Sequence, residues 1–182
     1  YDCYINEGRT GESVIREAFQ KALGRDATPD EVTTIYAEKS AYYHQLLQTT
    51  TPTIPGIEDV LHFVKAKGAQ IWVVTGSGMR TLLDSLNTVF PSIFQKDRMI
   101  TAFDVTHGKP DPEPYLKAWE LSGLPKEQCV VIENAPLGIR SGKAAGLTVY
   151  AVNTGILKRE DLAQADRVFD SMAELLAFLQ TQ

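Results

Sequence analysis

The chain of 182 residues has little cysteine, no long apolar run and no excess of basic charge. Its two cysteines, Cys3 and Cys129, are too few for a disulfide framework, so a reducing cytoplasm is the expected compartment. No apolar stretch approaches the roughly 20 residues of a membrane helix, and no membrane partner is expected. Because the net charge is −5 and no basic cluster occurs, a nucleic-acid partner is not expected either. No pattern indicates the oligomeric state.

Residues 1–50 carry only helical patterns. The stretch TGESVIREAFQKALG has apolar residues at helical spacing, and a second helix is predicted to open at Thr28, with Pro29 in its first turn. The proline-bearing stretch TTTPTIPG, residues 49–56, interrupts these patterns and is typical of a hinge between domains. We therefore predict a small helical domain, 1–50, followed by a second domain, 51–182.

From Gly56 onward, predicted helices alternate with short apolar runs. The helices are predicted at 57–67, 79–89, 113–122, 136–145 and 171–180, and the runs at 71–75, 99–103, 129–133, 148–152 and 167–169. This alternation predicts an α/β fold, a doubly wound parallel sheet covered by helices on both faces. In such sheets the chemistry lies beyond the carboxyl ends of the strands.

The first two candidate sites are an anion-binding turn and a constrained lysine. Thr75, Gly76 and Ser77 follow the first run, where free amides and two hydroxyls suit a phosphate, although a hydroxyl could simply cap the next helix. Lys109 follows the second run in a segment stiffened by prolines 110, 112 and 114. A lysine held in this way would neutralise charge on a phosphoryl group, and the alternative is a solvated loop lysine.

The third candidate site is the pair Glu133 and Asn134, which ends the apolar run at 129–133. An unpaired carboxylate at the edge of a dry core is costly, so we expect it to have a partner. Mg²⁺ takes oxygen ligands of these two kinds. The alternative is that Asn134 caps a helix while Glu133 forms a structural ion pair with Lys109. Convergence of hydroxyl, lysine and carboxylate at one crevice predicts a site for an anion and a divalent cation.

Three segments, in this order and spacing, resemble the haloacid dehalogenase superfamily and, more narrowly, its β-phosphoglucomutase-like phosphatase branch. They are PGIEDVLHFVKAKGAQIWVVTGS, DVTHGKPDPEPY and CVVIENAPLGIRSGKAAGLTVYAVNTG. The stretch EGRTGESVIREAF resembles the helical cap of that branch. The resemblance implies Mg²⁺-dependent phosphoryl transfer through an aspartyl-phosphate, with a small phosphate ester, expected to be a sugar phosphate, as substrate.

The resemblance also implies a role for each candidate residue. Thr75, Gly76 and Ser77 match the turn that holds the phosphoryl oxygens, and Lys109 matches the lysine that neutralises the nucleophile and the phosphoryl group. Glu133 and Asn134 match the acidic pair that anchors Mg²⁺. In the cap, Gly8, Arg9 and Thr10 lie where the cap contacts the leaving group, and an arginine there would grip a sugar hydroxyl or a second phosphate.

Two departures from the family pattern leave alternatives open. The opening motif, a strand ending in Asp-x-Asp, does not occur in the 182 residues. We expect it upstream of Tyr1, with its strand between the runs 71–75 and 129–133, and we expect this chain alone to be inactive. Asn134 replaces the commoner aspartate, which should weaken metal binding. The alternatives are a metal-independent haloacid dehalogenase-type hydrolase and a non-catalytic phosphate-binding or receiver-like module. The place of the basic residue in GRTGES favours a phosphatase over a mutase.

Overall fold

A computed structural model describes residues 8–47, 53–78 and 81–182. Over these ranges no helix combines the length and the apolar character needed to cross a membrane. The helices are α1 (Gly11–Leu23), α2 (Pro29–Leu47), α3 (Ile57–Ala66), α4 (Leu82–Val89), α5 (Glu113–Ser122), α6 (Pro136–Ala144) and α7 (Met172–Leu179). The strands are β1 (Val73–Val74), β2 (Met99–Ile100), β3 (Val130–Glu133), β4 (Thr148–Val152) and β5 (Arg167–Phe169).

All pairings between these strands are parallel, and they fall into two groups. Strand β1 pairs with β2 in the register Val73 to Met99. Strand β4 lies between β3 and β5, with Val131 opposite Val149. Within the described parts of the chain, no strand pairing joins β1–β2 to β3–β4–β5. The predicted α/β class with parallel strands is confirmed, but β1 and β2 are shorter than the apolar runs at 71–75 and 99–103.

Helices cover both faces of the larger sheet, as a doubly wound fold requires. Along β4, Val149 and Ala151 belong to a buried cluster that also contains residues of α5 and α6. Val152 belongs to a second cluster, which contains residues of α3 and α7. Alternate residues of a strand point to opposite faces, so β4 supplies apolar side chains to a core on each side.

The N-terminal helices α1 and α2 have a small core of their own, formed by Ile15, Ala27 and Val32. Helix α2 begins as predicted, because the backbone N–H of Glu31 donates to Oγ1 of Thr28 (3.3 Å) and the Glu31 carboxylate accepts from the N–H of Thr28 (2.8 Å). The predicted hinge at 49–56 lies partly outside the described residues. The domain boundary therefore stays a prediction.

Candidate active site

The turn after β1 is folded by the hydroxyl of Thr75. The backbone N–H of Thr75 donates to the carbonyl of Ile100 (2.9 Å), which continues the β1–β2 ladder by one residue. Its Oγ1 then accepts from the N–H of Ser77 (3.1 Å) and so closes a turn around Gly76. The next helix begins at Leu82 with Thr81 at its N-cap position, so neither Thr75 nor Ser77 occupies the helix cap.

Lys109 lies between the carboxyl ends of β1 and β3. Its Nζ donates to the backbone carbonyl of Val74 (3.0 Å) and to Oε1 of Glu133 (2.5 Å). The two charged side chains are only 7% and 8% exposed. The peptide bond that joins Lys109 to Pro110 is cis. These contacts rule out the solvated loop lysine, and the ion pair between Lys109 and Glu133 that the sequence left as an alternative is present.

Hydrogen bonds from both sides hold the loop that carries Lys109. The buried hydroxyl of Ser141 donates to the carbonyl of Asp111 (2.5 Å), which ties the loop to α6. The Glu113 carboxylate accepts from the backbone N–H groups of Thr106 (2.8 Å) and His107 (2.7 Å). These two bonds hold the pKa of Glu113 below its usual value. The prolines of the loop and these hydrogen bonds therefore both hold Lys109 in position.

Two oxygens of Glu133 have different partners. Oε1 accepts from Lys109 and from the hydroxyl of Tyr115 (2.5 Å), whereas Oε2 accepts from the backbone N–H of Asn134 (3.2 Å). Burial, and then the charge and hydrogen bond of Glu133, raise the pKa of the Tyr115 hydroxyl well above its ordinary value. The tyrosine is therefore a hydrogen-bond donor to this carboxylate at neutral pH.

The oxygen donors of Glu133 and Asn134 are of the kind that binds Mg²⁺, but their total charge does not favour a divalent cation. Oε2 of Glu133 and the side-chain amide oxygen of Asn134 are hard oxygen donors of the kind that Mg²⁺ prefers, and both residues line the same cavity. However, Lys109 neutralises the charge of Glu133, so these residues alone offer a cation no net negative charge. A second carboxylate must come from elsewhere if this site is to hold a divalent ion.

Residues 8–10, which the sequence assigns to a cap, lie directly against the predicted anion site. A Cβ built on Gly76 would be 2.5 Å from the backbone carbonyl oxygen of Arg9, so only glycine permits this approach. Two further close approaches are present. A Cβ built on Gly8 would be 2.9 Å from Cδ of Lys109, and a Cβ built on Gly108 would be 2.9 Å from Cγ2 of Thr10. The structure thus brings the predicted cap residues together with the predicted core residues.

The side chain of Arg9 is paired with residues of α1. Its guanidinium forms an ion pair with Glu17, and its Nε donates to the hydroxyl of Ser13 (3.2 Å). Both partners lie on α1, one and two turns into the helix. In this arrangement the backbone of Gly8 and Arg9, rather than the guanidinium, contacts the anion-binding turn at Gly76.

A cavity of about 1530 Å³ separates the two groups of strands. Its lining includes Val73 and Val74 of β1, Val130 and Ile132 of β3, and, at the carboxyl ends of these strands, residues of the predicted site. Val130 is 46% exposed and Ile132 is 40% exposed. Such exposure is unusual in a parallel sheet, whose strands are normally buried on both faces.

Sequence reasoning missed two tyrosines near the site. Tyr115 follows the proline-rich segment and enters the core with a hydroxyl that needs a partner, which is a signal the sequence does carry. Tyr36 fits the apolar stripe of α2 and gives no such signal. Its ring lies against Gly11, where a Cβ would be 2.3 Å from Cε2, and its hydroxyl lies near Gly78 beyond the anion turn.

The fold and the site together define the class of protein. Residues 7–152 match the family described as haloacid dehalogenase-like hydrolase, and the chain belongs to this family. Its close structural neighbours are of the β-phosphoglucomutase-like branch, as the sequence resemblance indicated.

Two phosphatases and one solved structure are among the proteins that this chain resembles. The chain is 31% identical to validoxylamine A 7'-phosphate phosphatase of Streptomyces hygroscopicus subsp. limoneus over 90% of its own length and 79% of that protein. It is 28% identical to the phosphorylated carbohydrates phosphatase of Thermotoga maritima, over 81% and 67% of the two chains. A solved Bacteroides vulgatus protein, assigned provisionally as a β-phosphoglucomutase, superposes with TM-score 0.88 and 42% identity, over 99% and 73% of the two chains.

The matched region is only part of these relatives. The matched region covers 79% of the length of the Streptomyces phosphatase but only 43% of the length of glycerol-1-phosphate phosphohydrolase 1 of Saccharomyces cerevisiae. The chain therefore spans only part of the length of the proteins that it resembles.

Proposed function

We propose that this chain is the larger part of a Mg²⁺-dependent phosphatase that acts on a small phosphorylated metabolite, a sugar phosphate, through an aspartyl-phosphate intermediate. One observation carries the proposal: the turn at Thr75, the ammonium of Lys109 and the carboxylate of Glu133 meet at the carboxyl ends of β1 and β3. A buried ammonium beside a glycine turn that carries two hydroxyls suits a phosphoryl group, whose negative charge the ammonium can stabilise.

The cavity between β1 and β3 supports a nucleophile carried by an additional strand. Unpaired backbone groups on two facing strand edges cost about 1–3 kcal/mol each when buried, so we expect a strand to fill the gap. If that strand is parallel to its neighbours, its carboxyl end lies beside Thr75 and Glu133. An aspartate at that end would adjoin the ammonium of Lys109 and would supply the second carboxylate that Mg²⁺ needs.

Each described residue then has a specific task. The hydroxyl of Thr75 and the backbone N–H of Gly76 bind the oxygens of the transferred phosphoryl group, and Lys109 neutralises the charge that the nucleophile and the phosphoryl group share. Oε2 of Glu133 and the amide oxygen of Asn134 would hold the metal, which when bound stabilises negative charge on the phosphoryl oxygens. Residues 8–10 of the cap cover the leaving-group side and exclude water there.

The activities of the relatives support a sugar-phosphate substrate. One solved relative also makes a phosphomutase the second candidate function. Relatives include phosphatases for validoxylamine A 7'-phosphate and for phosphorylated carbohydrates. The 42% identity with the Bacteroides vulgatus protein favours a phosphomutase as the second candidate. A mutase must grip a second phosphate, and the pairing of Arg9 with Glu17 makes this arginine a poor candidate for that role, so we prefer the phosphatase.

The test uses the full-length protein. We expect phosphate release from a panel of hexose, pentose and polyol phosphates, with complete loss in EDTA and recovery on addition of Mg²⁺. Mutase activity is measured on the same protein as conversion between phosphosugar isomers. Phosphate release that persists in EDTA, or turnover confined to 2-haloacids, would establish the metal-independent alternative; binding of phosphate esters without turnover would establish a non-catalytic module.

A further inference from the structure

Tyr115 is tied to both members of the buried ion pair. Its hydroxyl donates to Oε1 of Glu133 (2.5 Å), and the Nζ of Lys109 lies 4.8 Å from the centre of its ring, within the range of a cation–π contact. The residue is 6% exposed and belongs to the main apolar cluster. A phenylalanine would fill the same space, so packing alone does not require the hydroxyl.

The hydroxyl has a specific consequence for Glu133. Because Lys109 and Tyr115 both donate to Oε1, that oxygen already has two short charge-assisted bonds. Among the described residues, Oε2 accepts only the longer bond from the backbone N–H of Asn134 (3.2 Å). The two oxygens of one carboxylate are therefore unequal, and Oε2 is the one with remaining capacity for a further ligand.

We propose that Tyr115 is a positioning residue, which fixes the Glu133 carboxylate so that Oε2 is presented to the divalent cation while Oε1 stays on Lys109. This inference rests on the proposed function. Without the tyrosine donor, the carboxylate can rotate about its last torsion away from this orientation, so the oxygen that faces the cation is held less firmly. Groups that orient a metal ligand typically change metal affinity by about 10–100-fold when they are removed.

The experiment measures Mg²⁺ binding to the full-length protein by titration calorimetry, without substrate, in the wild type and in Tyr115→Phe. We expect the dissociation constant for Mg²⁺ to rise about tenfold or more, because one hydrogen bond to a charged group is removed while the ring is kept. At saturating Mg²⁺, the KM for the phosphate ester should change less than about twofold, because Lys109 keeps its ring contact and its bonds to Val74 and Glu133 when only the hydroxyl is removed. Tyr150→Phe, which removes a hydroxyl from the aromatic cluster with Phe169 and Phe178, is the matched control and should bind Mg²⁺ normally.

A double-variant cycle tests whether Tyr115 acts through Glu133. In a Glu133→Gln background, Tyr115→Phe should weaken Mg²⁺ binding no further than Glu133→Gln alone does. The rise in melting temperature on adding Mg²⁺ measures binding to the folded protein, even if a variant is partly unfolded. Unchanged Mg²⁺ affinity in Tyr115→Phe, or an equal loss with and without Glu133, would overturn the positioning role even in an active enzyme. A wild type that neither binds Mg²⁺ nor releases phosphate would instead overturn the proposed function.

Discussion

Gly138 lies directly against the carboxylate of Glu133. A Cβ built on this glycine would be 2.0 Å from Oε1 and 2.3 Å from Oε2 of the glutamate, far inside any real contact. Gly138 is buried in the first turns of α6, at a position where alanine would be the better helix former. The absence of a side chain at residue 138 therefore creates the space in which the carboxylate is held.

Gly138→Ala should displace Glu133 and remove most of the activity. The carboxylate cannot retreat without breaking its bonds to Lys109 and Tyr115, and a misplacement of about 1 Å near a reacting group costs about 100-fold in rate. Steady-state kinetics on the full-length protein measure this loss. Gly142→Ala, in the same helix, is the control: its Cβ would meet Val149 at 2.7 Å in the core, so it should lower stability while sparing the rate per folded molecule. Equal kinetic losses in both variants would contradict a local effect at Glu133.

Lys109→Met should abolish turnover and also destabilise the protein. The substitution keeps an apolar stem but leaves a buried carboxylate without its cation, which costs about 3–5 kcal/mol in the free energy of unfolding. Denaturant titration measures this cost. The double variant Lys109→Met/Glu133→Leu removes both charges and should recover most of the stability, with no recovery of activity. If Lys109→Met is as stable as the wild type, the ion pair does not hold the two strand ends together.

The ion pair between Asp166 and Lys143 should make a small, pH-dependent contribution to stability. Hydrogen bonds from Lys143 (2.5 Å) and from the backbone N–H of Val149 (2.8 Å) lower the pKa of Asp166. Since the pKa is lower in the folded state, the stabilisation is complete above the unfolded pKa of about 3.9 and disappears as the pH falls through the folded value.

Asp166→Asn tests this contribution. Because both charged groups are more than a third exposed, we expect a loss of only about 0.5–1 kcal/mol at pH 7. The difference from the wild type should shrink as the pH is lowered below about 4, where the unfolded aspartate is protonated. Denaturant titrations at several pH values provide the measurement, and Lys143→Met should show the same pH dependence. A difference that grows in acid would have the wrong sign for this ion pair.

Arg9→Ala should have little effect on substrate affinity. Both partners of the guanidinium, Glu17 and Ser13, lie on α1, and a partly exposed pair of this kind contributes about 0–1 kcal/mol to stability. We expect the KM for sugar phosphates to change less than about threefold in Arg9→Ala. Glu17→Gln should show an equally small change in KM. A large rise in KM for sugar phosphates but not for an aryl phosphate, seen in Arg9→Ala alone, would mean that the arginine leaves Glu17 to bind substrate.

Local patterns predicted the regular elements well. Helix α5 at 113–122 and the strands at 148–152 and 167–169 have the predicted bounds, because apolar periodicity and prolines or glycines at the ends are properties of contiguous sequence. Strands β1 and β2 are shorter than their apolar runs, since a strand extends only as far as a partner pairs with it. That partner is distant in the chain, so periodicity carries no information about it.

The sequence by itself determined that Thr75, Lys109 and Glu133 follow successive strands of the chain. Thr75, Lys109 and Glu133 were predicted to converge because parallel strands bring their carboxyl ends to one edge, and this rule depends only on the order of elements. Tertiary structure alone decided the partner of each oxygen and nitrogen. The bonds of Glu133 to Lys109 and Tyr115, and its space at Gly138, join different segments, and hydrogen-bond geometry within a few tenths of an ångström follows only from how those segments pack.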